Sequence, residues 1–214
     1  MTRLPCRTAI APCPRPLRRS LRLSLAALLL CSPVAHAVDG TITINGEITD
    51  QTCKINGKDA PADLLVHLPK ISTSAIKNKG DVAGATVFTL KLTDCPSTLT
   101  GKVQAHFEPG LTTDYDSGNL YAYTSSDTKT SPASAIPTSL TKANNVEIQL
   151  ANADGSAITI GAPPSAGGGV TLMNGSGDKK TATLHYMARY YRSSAEAITA
   201  GKLVTYVQYS IIYP

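Results

Sequence analysis

Helical periodicity is missing from this sequence. No stretch carries an apolar stripe at helical spacing, which argues against a helical bundle, and no internal repeat recurs along the chain. Long hydrophobic runs are missing too. The apolar run Leu23 to Leu30 is about eight residues long, whereas a membrane-spanning helix needs about twenty. Histidine is scarce, with four in the chain. His67, His106 and His185 stand in no metal or nucleophile motif such as H-E-x-x-H, so they read as ordinary strand or surface residues. Cysteine is sparse as well. Of five cysteines, Cys6, Cys13 and Cys31 lie in the first 37 residues, and the remaining pair, Cys53 and Cys95, is too small for a zinc site with four ligands at short spacing.

What the N-terminus does have is an export signal. Six arginines (Arg3, Arg7, Arg15, Arg18, Arg19, Arg22) precede the apolar run, and Ala35-His36-Ala37 offers small residues where a signal peptidase needs them. Residues 1–37 are therefore expected to be a cleaved signal peptide, with the mature chain starting at Val38. The six arginines leave with the signal, and 14 of the 20 basic residues then face 15 acidic ones, a net charge of −1. The basic character of the whole chain thus belongs to its leader, and nucleic acid is not an expected partner. The 177 remaining residues suffice for one domain with its own core. In an oxidising compartment, Cys53 and Cys95 are expected to form one disulfide.

The mature chain reads as short strands with period-two apolar alternation. Val38 to Ile48 places Ile42, Ile44, Gly46 and Ile48 on one face. Leu64 to Leu68 is ended by Pro69, and Phe88, Leu90 and Leu92 alternate in Thr86 to Leu92 ahead of Cys95. Val103, Ala105 and Phe107 form the next face, followed by Leu120 to Tyr123, Val146 to Leu150, Ala157 to Ile160, Thr181 to Tyr191 and Leu203 to Tyr213. Ser125 to Thr141 and Gly161 to Gly169 are loops on composition. Strands at this spacing predict an all-β sandwich. Two features stand out at its ends. The strand Leu203 to Tyr213 has no later segment to cover its edge, which a stable monomer would blunt, while Val38 to Ile48 is a strand to spare.

These residues together resemble the pilin subunits of chaperone-usher fimbriae of the type 1 kind. Gly40 to Ile48 followed by Cys53 looks like that family's N-terminal extension and first cysteine. Phe88-x-Leu90-x-Leu92-x-x-Cys95 is similar to the strand with the second cysteine, and Ala188-Arg189-Tyr190-Tyr191 to its late A-R-Y signature. At the C-terminal end the family pattern is matched by Gly201 and Tyr213. Within the family the likeness is to serotype-specific major fimbrial subunits of the whooping-cough group. The terminal Pro214 and a somewhat long mature chain are departures.

The resemblance implies an incomplete immunoglobulin-like sandwich that lacks its seventh strand and is completed by donor-strand complementation. It divides the chain into a signal peptide (1–37), a donor extension (38–50) carrying Ile42, Ile44, Gly46 and Ile48, and a pilin domain (51–214). Gly201, Leu203, Val207, Tyr209, Ile211 and Tyr213 would line the acceptor groove and bind the chaperone. The implied partners are other pilin subunits, a periplasmic assembly chaperone and an outer-membrane usher. The implied location is a fimbrium on the cell surface.

Three function classes follow. The first is a polymerising shaft subunit. The second is a tip, adaptor or host-binding adhesin of the same system, although an adhesin would need a further binding domain. The third is a secreted enzyme, for which neither a nucleophile, an acid pair, a metal set nor a cofactor motif is found. Asp114-x-Asp116-x-Gly118 opens like a calcium loop, yet Ser125 stands where the bidentate acid would be.

Overall fold

The structure, a computed structural model, describes residues 42–50, 52–132, 135–136, 138–163, 169–198 and 200–214. The expected signal peptide and Val38 to Thr41 lie outside the described residues. Residues 48–214 cluster as one compact unit.

Among the described residues that unit is built from eleven strands. The first six are β1 (Lys54–Ile55), β2 (Val82–Cys95), β3 (Lys102–Glu108), β4 (Leu120–Ser125), β5 (Lys142–Asn152) and β6 (Ala157–Ile158). They are followed by β7 (Val170–Thr171), β8 (Met173–Asn174), β9 (Lys180–Arg192), β10 (Lys202–Val204) and β11 (Gln208–Ile212). A single 3-10 turn, Thr73–Ala75, is the only helical element among the described residues. The larger sheet runs β1-β2-β9-β5-β4-β10, with β6 on β5 and β8 on β9, and the smaller sheet runs β11-β3-β7. All pairings are antiparallel.

The core forms where alternation puts apolar side chains on one side of each pleat. Leu90 and Leu92 of β2, Val103 of β3, Leu120 of β4 and Leu184 of β9 are fully buried. Phe88, Phe107 and Tyr186 pack as a trio with ring centroids 5.1 to 6.4 Å apart. Tyr186 also joins the two sheets, since its hydroxyl accepts the N–H of Ala105 at 2.9 Å. Cys53 and Cys95 are bonded, closing a 42-residue separation beneath β1 and β2. β2 breaks register between Ala83 and Thr86. Gly84 sits in that bulge at φ +68, where a Cβ would come within 3.0 Å of the Tyr190 ring.

Two expectations are corrected, and a third segment is reported beside them. Leu64 to Leu68 is not a strand: it runs without any ladder, because no neighbouring strand among the described residues offers it hydrogen bonds. Ile42 to Ile48, expected to be donated and not to join its own subunit's core, forms no strand among the described residues. The expected continuous strand Leu203 to Tyr213 is two strands on different sheets, with β10 pairing β4 and β11 pairing β3. The break includes Thr205, the one polar member of the alternating series, whose Oγ1 is buried without a partner. The crossing is anchored where Thr112 donates its hydroxyl to the Tyr206 carbonyl at 2.6 Å.

Candidate assembly site

β11 is an edge strand. It pairs with β3 in unbroken register from Gln208↔Glu108 to Ile212↔Gln104, and among the described residues no strand lies on its other side. Its side chains alternate as the pleat requires. Tyr209 and Ile211, continued by Val207 before the strand and Tyr213 after it, are half-buried against the core. Gln208 and Ser210 are exposed.

Beside it runs a second stretch without a ladder. From Ala62 to Leu68, Val66 and Leu68 pack on the core while Leu64 is partly exposed, and among the described residues no main-chain hydrogen bond engages 63–71. One tyrosine hydroxyl connects the two stretches, and a second ties the chain end to the disulfide. Tyr209 donates to the Ala62 carbonyl at 2.6 Å, and the Tyr213 hydroxyl accepts the Cys53 N–H at 3.1 Å. Burial, with the nearby Asp63 charge adding to it, pushes the Tyr209 phenol above its ordinary value and keeps it a neutral donor. A strand laddered on one side only and an unladdered, partly apolar stretch thus meet through a side chain, with no main-chain bond between them among the described residues, an arrangement that can accept an added strand.

The other expected groove residues lie elsewhere. Leu203 is in β10, half-buried on the larger sheet, and Gly201 is exposed, with open space where a Cβ would stand. The Ala62 to Leu68 side of the site was missed as groove lining, although its period-two pattern marked it as a strand.

In the extension, Ile42, Ile44 and Ile48 are 89%, 88% and 100% exposed. A Cβ at Gly46 would meet nothing within 4 Å. Three isoleucines left in water forgo about 1.5 to 3 kcal/mol each relative to full burial.

A polar site also escaped the sequence reading. Residues 146–151 of β5 are buried on both faces. Outside the core, Ser117 and Asn119 donate to the Glu147 carboxylate at 2.7 and 3.0 Å, and Gln149 donates to Asn119 at 3.1 Å. Arg189 grips the Gln149 oxygen through Nε and Nη2 at 2.9 and 2.6 Å. Glutamate and glutamine in alternate positions predict a solvated face, and only the folded loop that covers them reverses this. The Asp114 to Gly118 segment is a tight turn in which the Asp114 carbonyl accepts the Gly118 N–H at 2.8 Å.

Residues 68–214 match the family model of the type-1 fimbrial protein, A (FimA). The chain belongs to the type-1 fimbrial protein family. It is 42% identical to the serotype 2 fimbrial subunit of Bordetella pertussis over 93% of this chain and 99% of that protein. It is 44% identical to the fimbrial protein FimX of the same organism over 88% and 96%. A solved chaperone-usher pilus, described in connection with rod uncoiling, superimposes with a TM-score of 0.52 at 21% identity, covering 86% of this chain and all of that one. The fold is therefore the immunoglobulin-like β-sandwich of fimbrial pilins.

Proposed function

We propose that this chain is a structural shaft subunit of a chaperone-usher fimbria, and that it polymerises when residues 38–50 of one subunit are laid beside β11 of the next. The single observation that supports this reading is that the chain carries both an exposed isoleucine face, Ile42, Ile44 and Ile48, and an edge strand with no second neighbour among the described residues. Insertion would complete the smaller sheet, and the isoleucines would be buried between Val207, Tyr209, Ile211 and Tyr213 on one side and Leu64, Val66 and Leu68 on the other. Gly46 would occupy the narrowest part of the groove. In the periplasm, after cleavage following Ala37, the same groove would be held by an assembly chaperone, which would deliver the subunit to an outer-membrane usher. That the chain is a building subunit of a fimbria is supported by its similarity to a serotype 2 fimbrial subunit.

Deleting residues 38–48 is expected to leave a folded, chaperone-bound subunit that cannot extend a fibre. Gly46→Leu should act in the same selective way, because overpacking a tight site costs about 1 to 3 kcal/mol. The measurement is electron microscopy of producing cells, together with co-purification of the chaperone. Normal fibres from the truncated subunit would overturn this assembly mode, and loss of chaperone binding would place the segment inside its own subunit's fold.

A further inference from the structure

Three asparagines in this chain are followed directly by glycine: Asn45, Asn56 and Asn174. In such a pair the main-chain nitrogen of the glycine can attack the side-chain amide of the asparagine, because glycine has no Cβ in the way and reaches the required backbone angles freely. Two further conditions apply. The attacking nitrogen must be uncommitted, and the carboxamide must be free to turn onto it.

The structure separates the three. Asn56 is held on every side: its Nδ2 donates to the Thr89 carbonyl at 3.3 Å, its Oδ1 accepts the Lys91 N–H at 2.9 Å, and its own N–H donates to the Lys91 carbonyl at 2.8 Å. It also sits with Gly57 in a hairpin turn closed by paired bonds between Ile55 and Lys58. At Asn174 the attacking nitrogen is already committed, for the Gly175 N–H donates to the Lys179 carbonyl at 2.7 Å, and Asn174 is paired with Lys180 in β8. Asn45 is exposed and outside any regular structure, and neither it nor Gly46 makes a hydrogen bond among the described residues. Space around Gly46 is open to 4 Å.

We propose that Asn45-Gly46 is the site of spontaneous deamidation in this protein. The Gly46 nitrogen, giving its proton to hydroxide, bonds to Asn45 Cγ. The Cγ–Nδ2 bond breaks, and ammonia leaves after taking a proton from water, with a succinimide ring left behind. A water molecule then opens the ring. Opening at Cγ gives aspartate, and opening at the main-chain carbonyl gives isoaspartate, whose backbone runs through Cβ and Cγ. The net change is one water consumed and one ammonia released, with no oxidation or reduction.

The consequence for assembly rests on the donor-strand reading. Isoaspartate inserts one extra main-chain atom between Ile44 and Gly46, so Ile48 no longer shares a period-two face with Ile42 and Ile44. An unassembled subunit would lose its capacity to donate as it ages. Insertion into a ladder fixes the backbone and so protects the site.

The test is peptide mapping by mass spectrometry of the purified mature subunit and of assembled fibres, both aged at mildly alkaline pH, with enzymatic methyl labelling of isoaspartate. In the free subunit, the peptide containing Asn45 is expected to show the amide-to-acid mass gain and the isoaspartate label at least several-fold faster than the peptides containing Asn56 and Asn174. Asn45→Gln should remove the signal. Conversion at Asn56 or Asn174 as fast as at Asn45, or an unchanged Asn45 in the free subunit, would overturn the assignment. In fibres the signal should fall several-fold. Equal rates in fibres and free subunit would leave the modification site standing and sink the donor-strand reading instead.

Discussion

The hydroxyl of Tyr213 accepts the main-chain N–H of Cys53 at 3.1 Å, which ties the end of the last alternating series to the first residue of the disulfide across 160 positions of sequence. Tyr213→Phe keeps the ring and removes this acceptor from a partly buried donor. The expected loss is about 0.5 to 1.5 kcal/mol, read as a lower urea midpoint with an unchanged slope. An unchanged midpoint would mean that water replaces the hydroxyl without loss.

The Cys53–Cys95 bond closes a 42-residue separation, and both sulfurs belong to the core, Cys95 at 0% exposure. Replacing both cysteines by alanine is expected to destabilise the subunit by about 4 kcal/mol in the chain-entropy account. Chemical denaturation of the oxidised protein against the double variant measures this directly. A difference below about 1 kcal/mol would show that the denatured chain is already compact in this region.

Arg189 is the support of the buried polar chain on β5. Removing its side chain in Arg189→Ala leaves the Gln149 oxygen, which now accepts from two guanidinium nitrogens, without those donors at a site 8% exposed. The cost of an orphaned buried acceptor is about 1 to 3 kcal/mol. A double-mutant cycle with Gln149→Leu, whose side chain needs no donor, should return a coupling energy of similar size, whereas additive effects would contradict the network.

The pH dependence has two arms. Asp81 lies below its ordinary value of 3.8, chiefly because its carboxylate accepts the Asn78 N–H, with the Lys77 N–H adding to this. A lowered folded value gives stability that is present above 3.8 and lost as pH falls through the folded value, and Asp81→Asn should flatten that acid limb. Tyr209 lies above 10.0, first through burial. Its stabilisation is present below 10.0 and lost as pH rises through the folded value, when the phenolate can no longer donate to Ala62. Tyr209→Phe should flatten the alkaline limb. Thermal melts across pH on the wild type and the two variants check both signs.

Much of this fold is legible in the residues alone. Val103, Ala105 and Phe107 alternate and are buried in β3, and Ala182, Leu184, Tyr186 and Ala188 do the same in β9, because the pleat turns every second side chain to one face whatever the strand later pairs with. The isolation of Cys53 and Cys95 likewise fixed their pairing by elimination. The exposed isoleucines of the extension were marked by the same local periodicity.

Partner choice was not legible. Nothing in the alternation from Leu203 to Tyr213 says that the chain leaves the larger sheet at Thr205 and re-enters the smaller one. Glu147 and Gln149 look solvated until Ser117, Asn119 and Arg189 close over them. The open edge of β11 beside Ala62 to Leu68 is decided by how two sheets close on each other. Side-chain direction is a property of one strand, which a sequence encodes locally, whereas a vacant place in a sheet is a property of several strands together and exists only once they have paired.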